Sequence, residues 1–359
     1  MSLFSKKESK TLGDRLPYYS FDRETDAIWL KDGSATLSLR ITPKDCSHLT
    51  DDELESLRFG LTPVLSQLPE GSVFQALMLR ERSTDASNEA YRSWRASHLS
   101  DQETIDLSPR LQLLQAREAL LKSEFLWGNV FQTRCYVTLR SLPDLAVKTG
   151  KNLGPFSYLA FSSLQRRKTE YRGRAEILRD LEAGLVSLRA GLEAIGFDVA
   201  PVGHAERLKI IYEWMNPERS RSVAVPQEVG PSSIADRVAL TDLVEDRSGL
   251  ALGRIDAKVV SLKALPEISI PAAMEGLAQA ALPFSLILTV YVLPQTEERE
   301  RLMRKQRMAQ GMASGNAVRN LMAEAQLTDI ESTLSALISS GERLLAVSFQ
   351  LVGMTEAHS

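Results

Sequence analysis

The chain has 359 residues, 43% hydrophobic and 25% charged, a make-up that allows a sizeable buried core. Its formal net charge of −3 excludes a protein that holds nucleic acid by overall electrostatic attraction, so such contact would have to be local. Two cysteines, Cys46 and Cys135, are too few for a disulfide framework and fit a reducing compartment, with room for at most one long-range bridge.

The opening "MSLFSKKESK" has no apolar run behind its lysines and so lacks the core of a signal peptide. The first clear unit is "AIWLKDGSATLSLRI", where Asp32-Gly33 between two apolar, β-branched runs predicts a hairpin. "TDDELESLRFGLTPVLSQLP" predicts a helix. Thr50 is its N-cap with Glu53 three residues on, and Leu54, Leu57, Leu61, Val64 and Leu65 form one stripe. Pro63 inside it predicts a kink or two shorter helices. "SVFQALMLRER" returns as a strand, a long helical region is expected from Asn88 to Lys122 with a break near Pro109, and "NVFQTRCYVTLRS" is the next strand.

After a polar stretch, "AEILRDLEAGLVSLRAGLEAIGF" repeats Leu and Ile at helical spacing and is expected to stop at Gly196. "AERLKIIYEWMNPERS" predicts a shorter helix ended by Asn216-Pro217. "RIDAKVVSLKAL" then reads as a strand, "IPAAMEGLAQAAL" as a helix and "FSLILTVYVLP" as a strand. A long charged helix is expected over 297–340, with breaks at Gly311 and Gly315, before a closing strand "RLLAVSFQLVG". The apolar run Leu282 to Leu293 is too short to span a bilayer, which needs about 20 residues.

The order strand, helix, strand, long helix, strand thus occurs twice. The fold class expected is α+β, with two similar ferredoxin-like (split βαβ) halves, antiparallel or mixed sheets covered by helices, and a helical insertion between them. The domain organisation expected is a flexible N-terminus at 1–13 and a first half at 14–217. A linker or exposed loop at 218–235 and a second half at 236–359 follow.

Chemistry is sparse. A phosphate-binding loop needs G-x-x-x-x-G-K-[ST]. Around Gly150-Lys151, Leu145 takes the first glycine position and Asn152 replaces the Ser or Thr, so a surface turn is expected there. His48, His98, His204 and His358 lie far apart, without metal-ligand spacing; Cys46 and His48 are close but have no further ligands. No G-x-S-x-G elbow occurs. No catalytic, cofactor-binding or metal-binding residue is assigned.

Two basic stretches are the candidate interaction surface. "LQRRKTEYRGRAE" gathers Arg166, Arg167, Lys168, Arg172 and Arg174, suited to anionic head groups or a phosphate backbone and equally to a solvated helix start. "TEERERLMRKQRM" carries Arg299, Arg304, Lys305 and Arg307, with Glu297–Arg301 and Glu300–Arg304 at i,i+4 predicting a self-neutralised face. Met303, Met308, Met312 and Met322 are expected in the core or against a partner helix.

Taken together, "LPYYSFDRETDAIWLKDGSATLSLRITP", "LSQLPEGSVFQALMLRE", "GLEAIGFDVAPVGHAERLKIIYEWMNP" and "VVSLKALPE", with the long helix after "VYVLP", resemble a known family. It is the TraC class of conjugative-transfer ATPases, the VirB-type ATPases of type IV secretion systems, matched in its N-terminal region over residues 14–355. The resemblance implies an assembly and docking domain that anchors a motor to the inner-membrane complex during DNA transfer or pilus biogenesis. It implies inner-membrane subunits as partners, self-association as a dimer or hexamer, and a cytoplasmic place peripheral to the inner membrane. ATP and magnesium are expected only in a motor outside this chain, and direct DNA binding is not expected. The alternatives are a stand-alone enzyme on a duplicated ferredoxin-like scaffold and a nucleic-acid-binding module, the latter opposed by strands such as "LILTVYV" that read as buried on both faces.

Overall fold

The hairpin at Asp32-Gly33 forms, with Gly33 at φ +85°, a left-handed turn position that a side chain would strain. Asp32 fixes the turn by accepting from the Ser34 N–H at 3.0 Å and its hydroxyl at 2.6 Å. The structure is a computed structural model that describes residues 12–82 except 45 and 47, 131–141, 173–226, 233–245, 249–264, 275–278, 280, 282–314, 321–339 and 342–356, with isolated positions between 112 and 123. The basic residues Arg166, Arg167, Lys168 and Arg172, the Gly150-Lys151 turn and most of the helical insertion lie outside these residues.

The first elements in chain order are α1 (Leu12–Arg15), β1 (Tyr18–Phe21), β2 (Ile28–Leu30), β3 (Ala35–Ile41), α2 (Asp51–Ser66), β4 (Ser72–Arg82) and β5 (Phe131–Ser141). Then come α3 (Arg174–Ala194), β6 (Val199–Pro201), α4 (His204–Met215), α5 (Ile234–Val238), β7 (Leu243–Glu245), β8 (Leu250–Leu252) and β9 (Ile255–Ser261). The last are α6 (Glu275–Ala278), β10 (Phe284–Val292), α7 (Gln295–Ser314), α8 (Leu321–Ser339) and β11 (Leu345–Glu356).

The strands form one sheet in the order β1-β2-β3-β5-β4-β10-β11-β9-β8-β7, with β6 beside β3. Of the antiparallel or mixed sheets expected, the antiparallel form is found, as one sheet antiparallel at every described pairing. β3 and β4 run parallel but never touch, because β5 pairs with both; β11 separates β9 from β10 in the same way. The first five strands lie in the order 1-2-3-5-4, and the last five, counted from the opposite edge, lie in the same order. The two runs meet where β4 pairs with β10.

α2 and α3 cover one face. Thr50 and Glu53 close a reciprocal capping box, and α2 is one helix through Pro63 rather than the two shorter ones that were one expectation. Pro63 is solvent-exposed, so water can reach the Phe59 carbonyl that it leaves without a helical donor. α3 carries Ile177, Leu181, Leu188 and Leu192 at helical spacing onto Leu37, Leu139 and Val290 of the sheet. It stops at Gly196, φ +80°. α2 and α3 approach so closely at Gly191 that a Cβ there would stand 2.8 Å from Val64 Cγ2.

Hydrogen bonds from the Thr50 backbone N–H and then its hydroxyl hold the Glu53 carboxyl below the usual carboxylate range, against slight desolvation. A depressed carboxyl stabilises the fold above its unfolded pKa and loses that contribution as pH falls through the folded value. Thr50→Ala removes the hydroxyl, so the Glu53 titration midpoint followed by NMR is expected to rise; an unchanged midpoint would contradict the capping box.

The long charged helix expected over 297–340 is two helices, α7 and α8, packed on each other as a hairpin, with α7 continuous through Gly311. Gln295 clamps its root, donating to Leu293 O and Leu344 O and accepting from the Leu344 N–H at 2.7 Å. Arg343 ties that root to the C-terminal end of α2 by donating to Ser66 O and Leu68 O. No described helix is long and apolar enough to cross a membrane.

Candidate functional site

Asp26 organises the start of the second face. It has φ 58°, a left-handed conformation uncommon outside glycine. Its side chain accepts from the His204 backbone N–H at 3.2 Å and lies 2.8 Å from His204 Nδ1. It thereby caps α4, whose own N-cap residue is Gly203 and supplies no side-chain bond.

One turn into α4, Arg207 is 5% exposed and sits under the sheet. Its guanidinium donates to Asp26 O at 2.8 Å, Thr36 O at 2.9 Å and Thr36 Oγ1 at 2.6 Å. All three acceptors are neutral. Burial pulls this group down to about 10, with Tyr18 and Asp26 opposing, so it is still a cation at neutral pH. The same burial raises the Tyr18 phenol, against the pull of Arg207.

Among the described residues, α4 and α5 cover part of this face. Leu208, Tyr212, Ile234 and Val238 pack on Ile28 and Leu30, while Ile210 and Trp214 reach Leu77, Leu79 and Tyr136. Trp214 Nε1 donates to Ser285 Oγ at 3.1 Å. Arg134 on β5 joins Glu81 at 2.5 Å and Glu213 of α4 at 3.2 Å. Tyr136 donates to Glu206 Oε1 at 3.2 Å, and burial, with Glu206 reinforcing it against Arg134, pushes the phenol up to about 12, so it keeps its proton at neutral pH.

Where this helical layer ends, the sheet floor opens into a groove of about 610 Å³. Its walls include Val202, Ile210 and Ile211; its floor carries Thr36, Gln75, Thr138 and Thr289, and its charged lining residues are Arg140, Arg207 and Lys263. Arg140 donates to Ser34 Oγ at 2.9 Å and is paired with Asp32. β10 is therefore not buried on both faces, as its sequence suggests; Thr289 and Tyr291 face the groove while Val290 and Val292 face the core under α2 and α3.

Of the predicted surface residues, five are described: one on α3 and four on α7. Arg174 begins α3 with its guanidinium 4.9 Å from the Trp29 ring centre, a cation–π contact. Arg299, Arg304, Lys305 and Arg307 are exposed on α7. Arg304 pairs with Glu300 at 3.7 Å as expected, but Arg301 takes Glu298 at 3.4 Å rather than Glu297. Met308, Met312 and Met322 are 67%, 48% and 76% exposed, which corrects the expected core placement. Cys46 is exposed and donates to Lys44 O at 3.7 Å, and among the described residues no group of His, Cys, Asp and Glu could hold a metal ion.

The groove itself was missed. Its signal lay in single polar residues inside apolar strands, as in "TLSL", "FQAL", "VTLR", "LTVY" and "VSFQ", which only strand pairing aligns.

A large antiparallel sheet, helices closing one face and part of the other, and a basic groove with a polar floor define an α+β scaffold with a binding face. The family model for the TraC protein matches residues 12–358, so the chain belongs to the TraC family of conjugative transfer proteins of type IV secretion. Comparison with curated proteins gives no match.

Proposed function

We propose that this chain is an assembly and docking domain of a type IV secretion ATPase. It anchors a motor to inner-membrane subunits and mediates self-association during DNA transfer or pilus biogenesis. The observation that carries the reading is the family match across residues 12–358. In this reading the chain lies at the cytoplasmic face of the inner membrane, and ATP and magnesium belong to a motor beyond the residues described here. The mirrored strand order supports reading the two halves as ferredoxin-like units derived by duplication.

The α7–α8 hairpin supports a docking role. Its first helix is 20 residues long, about 30 Å. Met308, Met312 and Met322 lie toward its far end, exposed and suited to adaptable apolar contact. Arg299, Lys305 and Arg307 add positive charge along α7. In a donor cell, Arg299→Glu, Lys305→Glu and Arg307→Glu together are expected to move most of the protein from the membrane fraction to the soluble fraction without altering its thermal unfolding. The same is expected of Arg166→Glu, Arg167→Glu and Lys168→Glu. Undiminished co-sedimentation of both variants with membranes carrying the secretion complex would overturn the docking reading.

A further inference from the structure

The groove floor has an order that no single strand reveals. Ser38 of β3 pairs with Thr138 of β5, and Thr138 pairs with Gln75 of β4. Gln75 then pairs with Thr289 of β10, and Thr289 with Ser348 of β11. Five polar side chains therefore form one row across five adjacent strands, perpendicular to the strands and facing the groove. At a strand spacing of about 4.8 Å the row is about 19 Å long. Parts of it are already linked: Ser38 Oγ and Thr138 Oγ1 are 2.8 Å apart, and Gln75 Nε2 donates to Thr289 Oγ1 at 3.3 Å. The Ser348 hydroxyl and the Gln350 amide beside it have no hydrogen-bond partner among the described residues.

The charge of the groove has one sign. Among the described residues its lining includes three cations and no carboxylate. Arg140 is neutralised by Asp32; Arg207 donates only to neutral acceptors, and the Asp26 carboxylate favours its charge without a direct ion pair among the described residues. Lys263, exposed at the rim, has no ion pair among the described residues. Lys263 is thus the lining cation left to meet an anionic group arriving from outside.

The layout also selects the kind of ligand. Small-molecule sites converge a few polar groups on one point. Here hydroxyls and amides, each able to donate and accept, repeat along a line, which suits the alternating N–H and C=O groups of an extended chain. A nucleic-acid strand would need more cations along its backbone than this lining offers, and open aromatic platforms for its bases.

We propose that the groove binds an extended acidic peptide segment, laid along the row from Ser38 to Ser348 with a carboxylate reaching Lys263. The inference deepens the docking reading and rests on it only for the source of the peptide, a segment of a partner subunit.

Selection of a displayed library of random decapeptides on the purified 359-residue chain tests it. Enriched peptides are expected to be rich in Asp and Glu and to bind at least tenfold more weakly to Lys263→Glu. That substitution is at an exposed residue and leaves the fold intact. Thr289→Val with Ser348→Ala is expected to weaken the same peptides while thermal unfolding stays cooperative. Enriched peptides without an acidic excess, or equal binding to the Lys263→Glu protein, would overturn the proposal. So would a ten-nucleotide oligothymidylate that binds where the peptides do not. Since the selection uses only purified chain, a failure here is separate from a failure of membrane recruitment in cells.

Discussion

Arg207→Ala is expected to lower folding stability by about 3 kcal/mol, measured by urea denaturation with tryptophan fluorescence as the probe. The substitution orphans two backbone carbonyls and one hydroxyl that Arg207 now satisfies beneath the sheet. Each buried acceptor left without a donor costs about 1 kcal/mol or more, and the gain from no longer burying a charge offsets part of that. The loss also spreads, because the Asp26 carbonyl is one of the acceptors and Asp26 both caps α4 and holds a left-handed backbone. Arg207→Lys is expected to recover little, since an ammonium is a single point and cannot span acceptors on two residues. A loss below about 1 kcal/mol for the alanine variant would mean that water takes over these bonds.

The second large effect is expected at the crossing of α2 and α3. Gly191→Leu is expected to cost about 2 kcal/mol, by adding a side chain where even a Cβ would be 2.8 Å from Val64 Cγ2. Replacing a mid-helix glycine would by itself favour the helix by about 1 kcal/mol, so the sign of the result reports packing rather than propensity. Val64 is β-branched and stiff, which leaves it little room to turn aside. Gly191→Ala combined with Val64→Ala should cost less than the sum of the two single changes, because truncating Val64 clears the space the new methyl needs. Strict additivity in that cycle would rule out the steric account.

Much of the local structure was written in short-range signals. Asp32-Gly33 announces its hairpin, Thr50 and Glu53 announce the start of α2, and Gly196 announces the end of α3, since each acts within a few residues. The strands β6, β7 and β8 gave no such signal; each is three residues long, too short for a two-residue period to stand out. Of the two glycines expected to break the long helix, Gly311 stays helical in α7, and Gly315 lies outside the described residues. The groove was hidden for a different reason. Ser38, Thr138, Gln75, Thr289 and Ser348 are each an unremarkable polar residue in a strand, and their alignment is a property of register between segments far apart in the chain. Arg207 reads as one more charged residue on an amphipathic helix until its neighbours Asp26 and Thr36 are known.

The placement of β11 carries a consequence for synthesis. It is made after the other ten described strands, yet it lies inside the sheet, between β10 and β9. Until residues 345–356 have emerged from the ribosome, β10 and β9 each present a bare edge to the cell, and β10 is among the most apolar strands of the protein. The β1–β5 run can pair as soon as β5 and its partners have been translated, but the other run must wait for its final strand. The nascent chain thus passes through a stage in which its first half is folded and its second is open to wrong partners, including the β10 of another copy. Cells that lack a holdase chaperone for that interval would be expected to accumulate aggregates seeded by the second half rather than the first.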